Sequence, residues 1–203
     1  QAYMICIQLG GIRSPSGDAL AISDAVITVE DGKSITQNAL SIDSNATLKS
    51  KVDALIISSD IANKGTLELF GYGEINNKIN EAGTILVTDS SANIKLNNKV
   101  VNNIDNAGTL TITAANIGNT VRNTNILNLG TGELQYNLGT GIAKAINGTL
   151  NINGDVNVAN VSITQQKLNV LETNSLTADL HNLVITNDIN NAGKLVVSAG
   201  DYA

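Results

Sequence analysis

Apolar and polar residues alternate in short stretches along most of this chain, and clusters of Asn, Gly, Ala and Thr separate the stretches. Thr109-Leu110-Thr111-Ile112, Ala92-Asn93-Ile94-Lys95-Leu96 and Asp155-Val156-Asn157-Val158 each place their aliphatic side chains on one face of an extended strand. The reason is that strand side chains alternate with period two. A further run, Leu180-His181-Asn182-Leu183-Val184-Ile185, is more continuously apolar and also reads as a strand. Asn, Gly and Thr saturate every segment, which weighs against a helical fold.

One phrase recurs, and repetition at a steady period signals a solenoid. It reads Ile79-Asn80-Glu81-Ala82-Gly83-Thr84-Ile85-Leu86-Val87 and Ile104-Asp105-Asn106-Ala107-Gly108-Thr109-Leu110-Thr111-Ile112. It returns shortened as Ile146-Asn147-Gly148-Thr149-Leu150-Asn151-Ile152, and again as Ile189-Asn190-Asn191-Ala192-Gly193-Lys194-Leu195-Val196-Val197. A degenerate copy is Ile61-Ala62-Asn63-Lys64-Gly65-Thr66-Leu67-Glu68-Leu69, and weaker copies start at Asn45, Asn123 and Gln165. The glycine-equivalent positions are 46, 65, 83, 108, 125, 148, 166 and 193. Their steps are 19, 18, 25, 17, 23, 18 and 27 residues, averaging 21. That suits one turn of a parallel β-helix with three short strands and three corners. Heptads and helical repeats of about 33 residues do not fit.

The expected fold is therefore all-β: a parallel β-helix (β-solenoid) of roughly nine to ten coils, about 21 residues per coil, forming a rod about 45 Å long. Structural corner positions are Asn63, Gly65, Gly83, Asn106, Gly108, Asn147, Gly148, Asn191 and Gly193. Gly is expected there because it adopts positive φ without steric conflict, and Asn because it tolerates left-handed backbone. Stacked Asn side chains would form amide ladders that satisfy one another. The long steps ending at Gly108, Gly148 and Gly193 mark candidate projecting loops at 95–103, 130–144 and 173–182. A β-sandwich shares the alternating strands but requires no matching phrase at each corner. Residues 1–24 lack the phrase and contain the single proline, within Arg13-Ser14-Pro15-Ser16-Gly17-Asp18. They read as an N-terminal cap or linker, and residues 25–203 as one solenoid domain.

Composition fits this picture. Asn occurs 29 times among 203 residues, against four Tyr, one Phe and no Trp. Columns of Ile, Leu and Val fill a narrow tube that large rings would jam. Hydrophobic residues make up 42% of the chain, so it is not disordered by low hydrophobicity. No apolar run is long enough to span a bilayer, so this segment is not expected to insert in a membrane. The net charge of −6, with only Arg13 and Arg122 and scattered lysines, excludes nucleic acid as the expected partner. The opening Ala2-Tyr3-Met4-Ile5-Cys6-Ile7 lacks the basic lead and length of a signal peptide. A start at Gln1 points to a processed product or an excised fragment.

Candidate chemistry is sparse. Cys6 is the single cysteine, which excludes an internal disulfide and a Cys-based zinc site. His181 is the single histidine, on an expected strand with an outward, solvated side chain; a Ser-His-Asp or Cys-His arrangement has no other histidine to use. Coil stacking would bring Asp60, Glu81, Asp105 and Asp188 near one edge, the one arrangement resembling a carboxylate pair for glycoside hydrolysis. Acids replacing Asn at solvated corners is the plainer reading. No calcium-binding repeat or Asp-rich loop occurs, so no metal or cofactor is expected. Gly71-Tyr72-Gly73 and Gly130-Thr131-Gly132 lack the helix and Lys of a phosphate loop. Asn45, Asn147 and Asn160 head glycosylation sequons of the kind that arise by chance in an Asn- and Thr-rich chain. Thr66, Thr84, Thr109 and Thr149 recur once per coil without the second Thr column that ice binding would use.

The Ile-(Asn/Asp)-(Asn/Glu)-Ala-Gly-Thr-(Leu/Ile) repeats, with Asn-Gly-Thr-Leu-Asn-Ile-Asn-Gly at 147–154, resemble the passenger regions of bacterial autotransporters and related β-helical adhesins. Within that group they are most similar to the Asn- and Gly-rich surface antigens of rickettsial type. The resemblance covers residues from about 40 to 203 and implies a cell-surface or secreted location. The expected function is a non-enzymatic stalk of adhesin or passenger type, its partner a protein or glycan on a host or neighbouring cell. A self-assembling surface-layer or filament subunit, joined end to end as a homo-oligomer, is the alternative. A polysaccharide-degrading enzyme ranks third.

Overall fold

The computed structural model describes residues 3–7, 12–13, 18–139 and 147–199. Pro15, the Cys6 side chain and the 140–146 part of one candidate loop lie outside the described residues. Period-two alternation is realised directly: Thr66–Phe70 and Thr109–Thr113 bury every second residue. Parallel strands stack into a β-solenoid of about 9 turns, with about 19 residues per turn. The turn is slightly shorter than the repeat of the phrase, and the discrepancy has a structural cause.

A first face stacks Tyr3–Ile7, Ala25–Val29, Thr47–Lys51, Thr66–Phe70, Thr84–Val87, Asn103–Asn106 and Val121–Asn123 in chain order. A second stacks Tyr72–Ile75, Asn93–Leu96, Thr109–Thr113, Ile126–Gly130, Thr149–Ile152, Ile163–Val170 and Leu183–Asn191. The remaining side is made of shorter sheets, including Ala19–Ile22 through Ile79–Asn80 early on and Gly132–Leu134 through Lys194–Ser198 later. The phrase does not stay on one face. Thr47, Thr66 and Thr84 stack on the first face, but Thr84 then pairs with Asn103. Thr109 pairs instead with Asn93 on the second face, where Ile126, Thr149 and Lys167 follow it. Lys194 pairs with Ser175 on the remaining side.

The steps of 25 and 27 residues are thus places where the phrase advances by one side of the triangle. Stacked strands of the second face are only 16 residues apart at Asn93–Thr109 and at most 23 at Ile126–Thr149. This corrects two of the three expected loops. Within 95–103, Val100 is buried and bridges to Ile79 and Ile117. Within 173–182 lie the strand Ser175–Asp179 and the 3-10 turn Leu180–Asn182. Each long step is filled by an extra side of coil, which a count between glycines cannot distinguish from a loop.

The corner glycines also sit there for a different reason than expected. Positive φ belongs to Gly32, Gly71, Gly73, Gly132 and Gly139, not to the glycines of the phrase. A Cβ on Gly65 would lie 2.2 Å from the Ala46 carbonyl oxygen, and on Gly83 2.4 Å from that of Asn63. The corresponding distances are 2.8 Å to Asp89 for Gly108, 2.2 Å to Asn123 for Gly148 and 2.3 Å to Asn174 for Gly193. Each glycine clears the backbone of the coil below. Asn likewise is not in left-handed backbone at these corners; the non-glycine residues with positive φ are Asp24, Glu81 and Thr173.

Inside, aliphatic columns run along the axis. Ile94, Leu110, Leu127, Leu150 and Leu168 are stacked neighbours on the second face, each with 0% exposure. Burying one such side chain stabilises by about 1.5–3 kcal/mol. The described aromatics Phe70, Tyr72 and Tyr136 all lie outside this interior. Between the columns, at two corners, buried amides form internal ladders. Asn106 donates through Nδ2 to Asn123 Oδ1 at 2.8 Å, and Asn123 Nδ2 to Gln165 Oε1 at 2.8 Å. Asn63 donates to Asn102 Oδ1 at 3.1 Å.

Candidate functional site

The chemistry-bearing residues lie on the outside of the coil. On the second face a surface amide ladder follows the middle of the strands. Asn190 donates to Asn169 at 3.0 Å, Asn169 to Asn151 at 2.8 Å, Asn151 to Asn128 at 2.9 Å, and Asn128 to the Thr111 hydroxyl at 3.2 Å. Parallel stacking in register puts like residues one rung apart, so each amide finds the next. Corner reasoning missed this ladder. Its signal was present as Leu127-Asn128, Leu150-Asn151 and Leu168-Asn169, the same dipeptide in three successive coils.

On the first face an outward column carries Lys49, Glu68, Leu86, Asp105 and Arg122 in register. Lys49 lies 3.6 Å from Glu68, and Arg122 3.3 Å from Asp105. Both pairs are exposed enough to contribute little stability. Lys51 hydrogen-bonds Asp31, which holds that carboxyl below the usual carboxylate range and raises the ammonium. Asp89 is held low by the Ser91 backbone N–H at 2.9 Å and hydroxyl at 2.8 Å.

The four acids considered for acid–base chemistry are distributed around the coil. Asp60, before the strand Ile61–Asn63, accepts from Asn80 at 3.3 Å, and Glu81 occupies the following corner with φ of 73°. Asp105 stands on the first face with Arg122, and Asp188 on the second with Lys167 at 3.9 Å. The expected common edge is therefore corrected, because the phrase copies that carry these acids occupy different sides. His181 lies in a 3-10 turn, not a strand. Its N–H donates to Asp179 Oδ1 at 2.8 Å, and its Nδ1 lies 3.0 Å from the same oxygen. That backbone N–H, with the imidazole second, depresses the Asp179 carboxyl.

Of the expected corner residues, Asn63 and Asn106 are fully buried, whereas Asn147 and Asn191 are exposed beside Gly148 and Gly193. They stand at three different corners and form no common site. Shallow grooves line the sides. One, of about 220 Å³, holds Asp105 and Arg122; a second, of about 340 Å³, lies beside Asn157, Asn160, Asp179 and Asn182; a third, of about 360 Å³, surrounds Gly130. Among the described residues no cluster of His, Cys, Asp and Glu forms a metal site, and no helix is long and apolar enough to cross a membrane. No protein-family model, curated protein or solved structure matches the chain.

Proposed function

We propose that this chain is a non-enzymatic β-solenoid of the cell surface or extracellular space, an adhesin- or passenger-type stalk that presents its sides to a protein or glycan of a host or neighbouring cell. The observation that carries this reading is the outward face itself. Its amides and hydroxyls are held in ladders from Thr111 to Asn190, giving a rigid polar array over successive rungs. Such an array offers regularly spaced hydrogen-bonding groups at little further entropic cost, since the side chains are already ordered. The resemblance of the repeats to bacterial passenger regions supports the same reading. Projecting loops at 95–103 and 173–182 are no part of it. The test is adhesion of beads coated with the 203-residue chain to a panel of epithelial and bacterial cells. Saturable binding, competed by soluble chain, is expected; beads that bind no better than albumin-coated ones contradict the proposal.

A second reading, end-to-end self-assembly, is favoured by the last described coil. There Ile189 is 51% exposed, whereas Leu168, its partner one rung back, is 0% exposed. An uncovered parallel edge with bared apolar columns templates further strand pairing. Light scattering across a dilution series tests it. Growth with concentration, reduced by Ile189→Lys, supports assembly, and a monomer at every concentration opposes it.

A further inference from the structure

We propose that the recess at Gly130 binds one hexuronate unit of an acidic saccharide. The second face carries an outward column at its strand ends in which Thr113, Gly130 and Asn153 follow one another. Thr113 pairs with Gly130, and Asn153 N–H donates to the Leu129 carbonyl. Gly130 interrupts that column and opens the groove of about 360 Å³, floored by buried Leu96 and Ile112. Its walls are Lys95, Asn97, Thr111, Thr113, Asn116 and Asn153.

The fold does not require glycine at this position. Gly130 lacks the positive φ of Gly32 or Gly71. The nearest atom to a Cβ there would be the Thr113 methyl at 3.1 Å, not a backbone carbonyl as at Gly65 or Gly148. What the missing side chain provides is space, enough for a single pyranose ring.

The groups around that space are unengaged in a chain that otherwise consumes its amides in ladders. The Thr113 hydroxyl, the Asn116 and Asn153 amides and the Lys95 ammonium make no hydrogen bond or ion pair among the described residues. Amides and a hydroxyl both donate and accept, which suits vicinal sugar hydroxyls. Lys95 is the only charged residue lining the recess. Glu74, its neighbour one rung down, already accepts from Asn97 at 2.9 Å. One ammonium among neutral hydrogen-bonding groups selects a sugar bearing one carboxylate over its neutral counterpart.

This site stands independently of the surface role, and its failure would leave the adhesion experiment unaffected. The test is amide chemical-shift mapping on the full chain with methyl β-glucuronide and methyl β-glucoside as probes. Saturable shifts at Thr113, Gly130 and Asn153 are expected with the glucuronide, with about fivefold weaker binding of the glucoside. Lys95→Gln should bring the two sugars to equal affinity. Gly130→Asn, which completes the column, should abolish both while leaving the urea unfolding midpoint in place. Absence of saturable shifts at these residues overturns the proposal. So does equal affinity for the two sugars in the unmodified chain, or a glucuronide preference that survives Lys95→Gln.

Discussion

The corner entering the first face and the corner entering the second are built from the same parts in a different order. At the first, Thr66 N–H donates to Ala46, Thr84 to Gly65 and Asn103 to Gly83, so Ala46, Gly65, Gly83 and then Asn102 succeed one another. At the second, Thr109 donates to Ala92, Ile126 to Gly108 and Thr149 to Asn125, giving Ala92, Gly108, Asn125 and Gly148. Glycine leaves the first corner as it enters the second. Where it leaves, Asn102 turns its amide inward to the carbonyls of Glu81 at 2.6 Å and Asn63 at 3.1 Å. Where it arrives, Asn106 bonds the Gly108 N–H and carbonyl at 3.1 and 3.0 Å. A solenoid corner therefore tolerates either a residue small enough to clear the rung below or an amide that bonds the carbonyls it would otherwise leave bare. The phrase encodes a corner and the strand after it, not a particular face.

The difference between clearance and conformation is the largest effect to test. Gly65→Ala should destabilise by about 3 kcal/mol because its Cβ meets backbone oxygens of the coil below. Gly32→Ala, at φ of 73° with no atom nearby, should cost about 1 kcal/mol from backbone strain alone. Urea unfolding midpoints of the two variants compare them, and equal losses would remove the clearance argument. Next in size is the interior ladder. Asn123→Ala leaves Gln165 without its partner in a dry corner and should cost about 2 kcal/mol. The same truncation in the surface ladder, Asn151→Ala, should cost about 0.5 kcal/mol or less, since water replaces the lost partner. If both cost the same, inside and outside are not energetically distinct.

The smallest effect is electrostatic. Asp179, Asp31 and Asp89 are held below their ordinary carboxylate range in the folded chain. Their contribution is present above about pH 4 and is lost as pH falls through their folded values. Asp179→Asn should therefore narrow the difference in unfolding midpoint between neutral and acid solution. A variant with an unchanged acid response would show that this carboxylate plays no part in it.

The solenoid was legible because its causes are local and repeated: Thr-Leu-Thr-Ile alternation, the phrase glycines and the shortage of aromatics all point to stacked narrow coils. Phase was not legible. Nothing within Ile104-Asp105-Asn106-Ala107-Gly108 indicates that its strand pairs with Asn93 rather than Thr84; that depends on the hydrogen bonds of adjacent rungs. The surface ladder could have been found from the recurrent Leu-Asn pairs. The Gly130 recess could not, because a gap in a column is visible only once Thr113 and Asn153 are known to flank it.

Rung register is the central claim, and thiol crosslinking tests it most directly. In a Cys6→Ser background, Thr84→Cys would be combined with either Asn103→Cys or Thr109→Cys, and the folded chain treated with the shortest bifunctional thiol reagent. Side chains at paired positions of neighbouring strands lie about 5 Å apart, within such a reagent's reach. Efficient crosslinking of positions 84 and 103, with none between 84 and 109, is the expected result. Crosslinking of 84 to 109 instead would mean that the phrases stack on one another, and the face-to-face advance described above would be wrong.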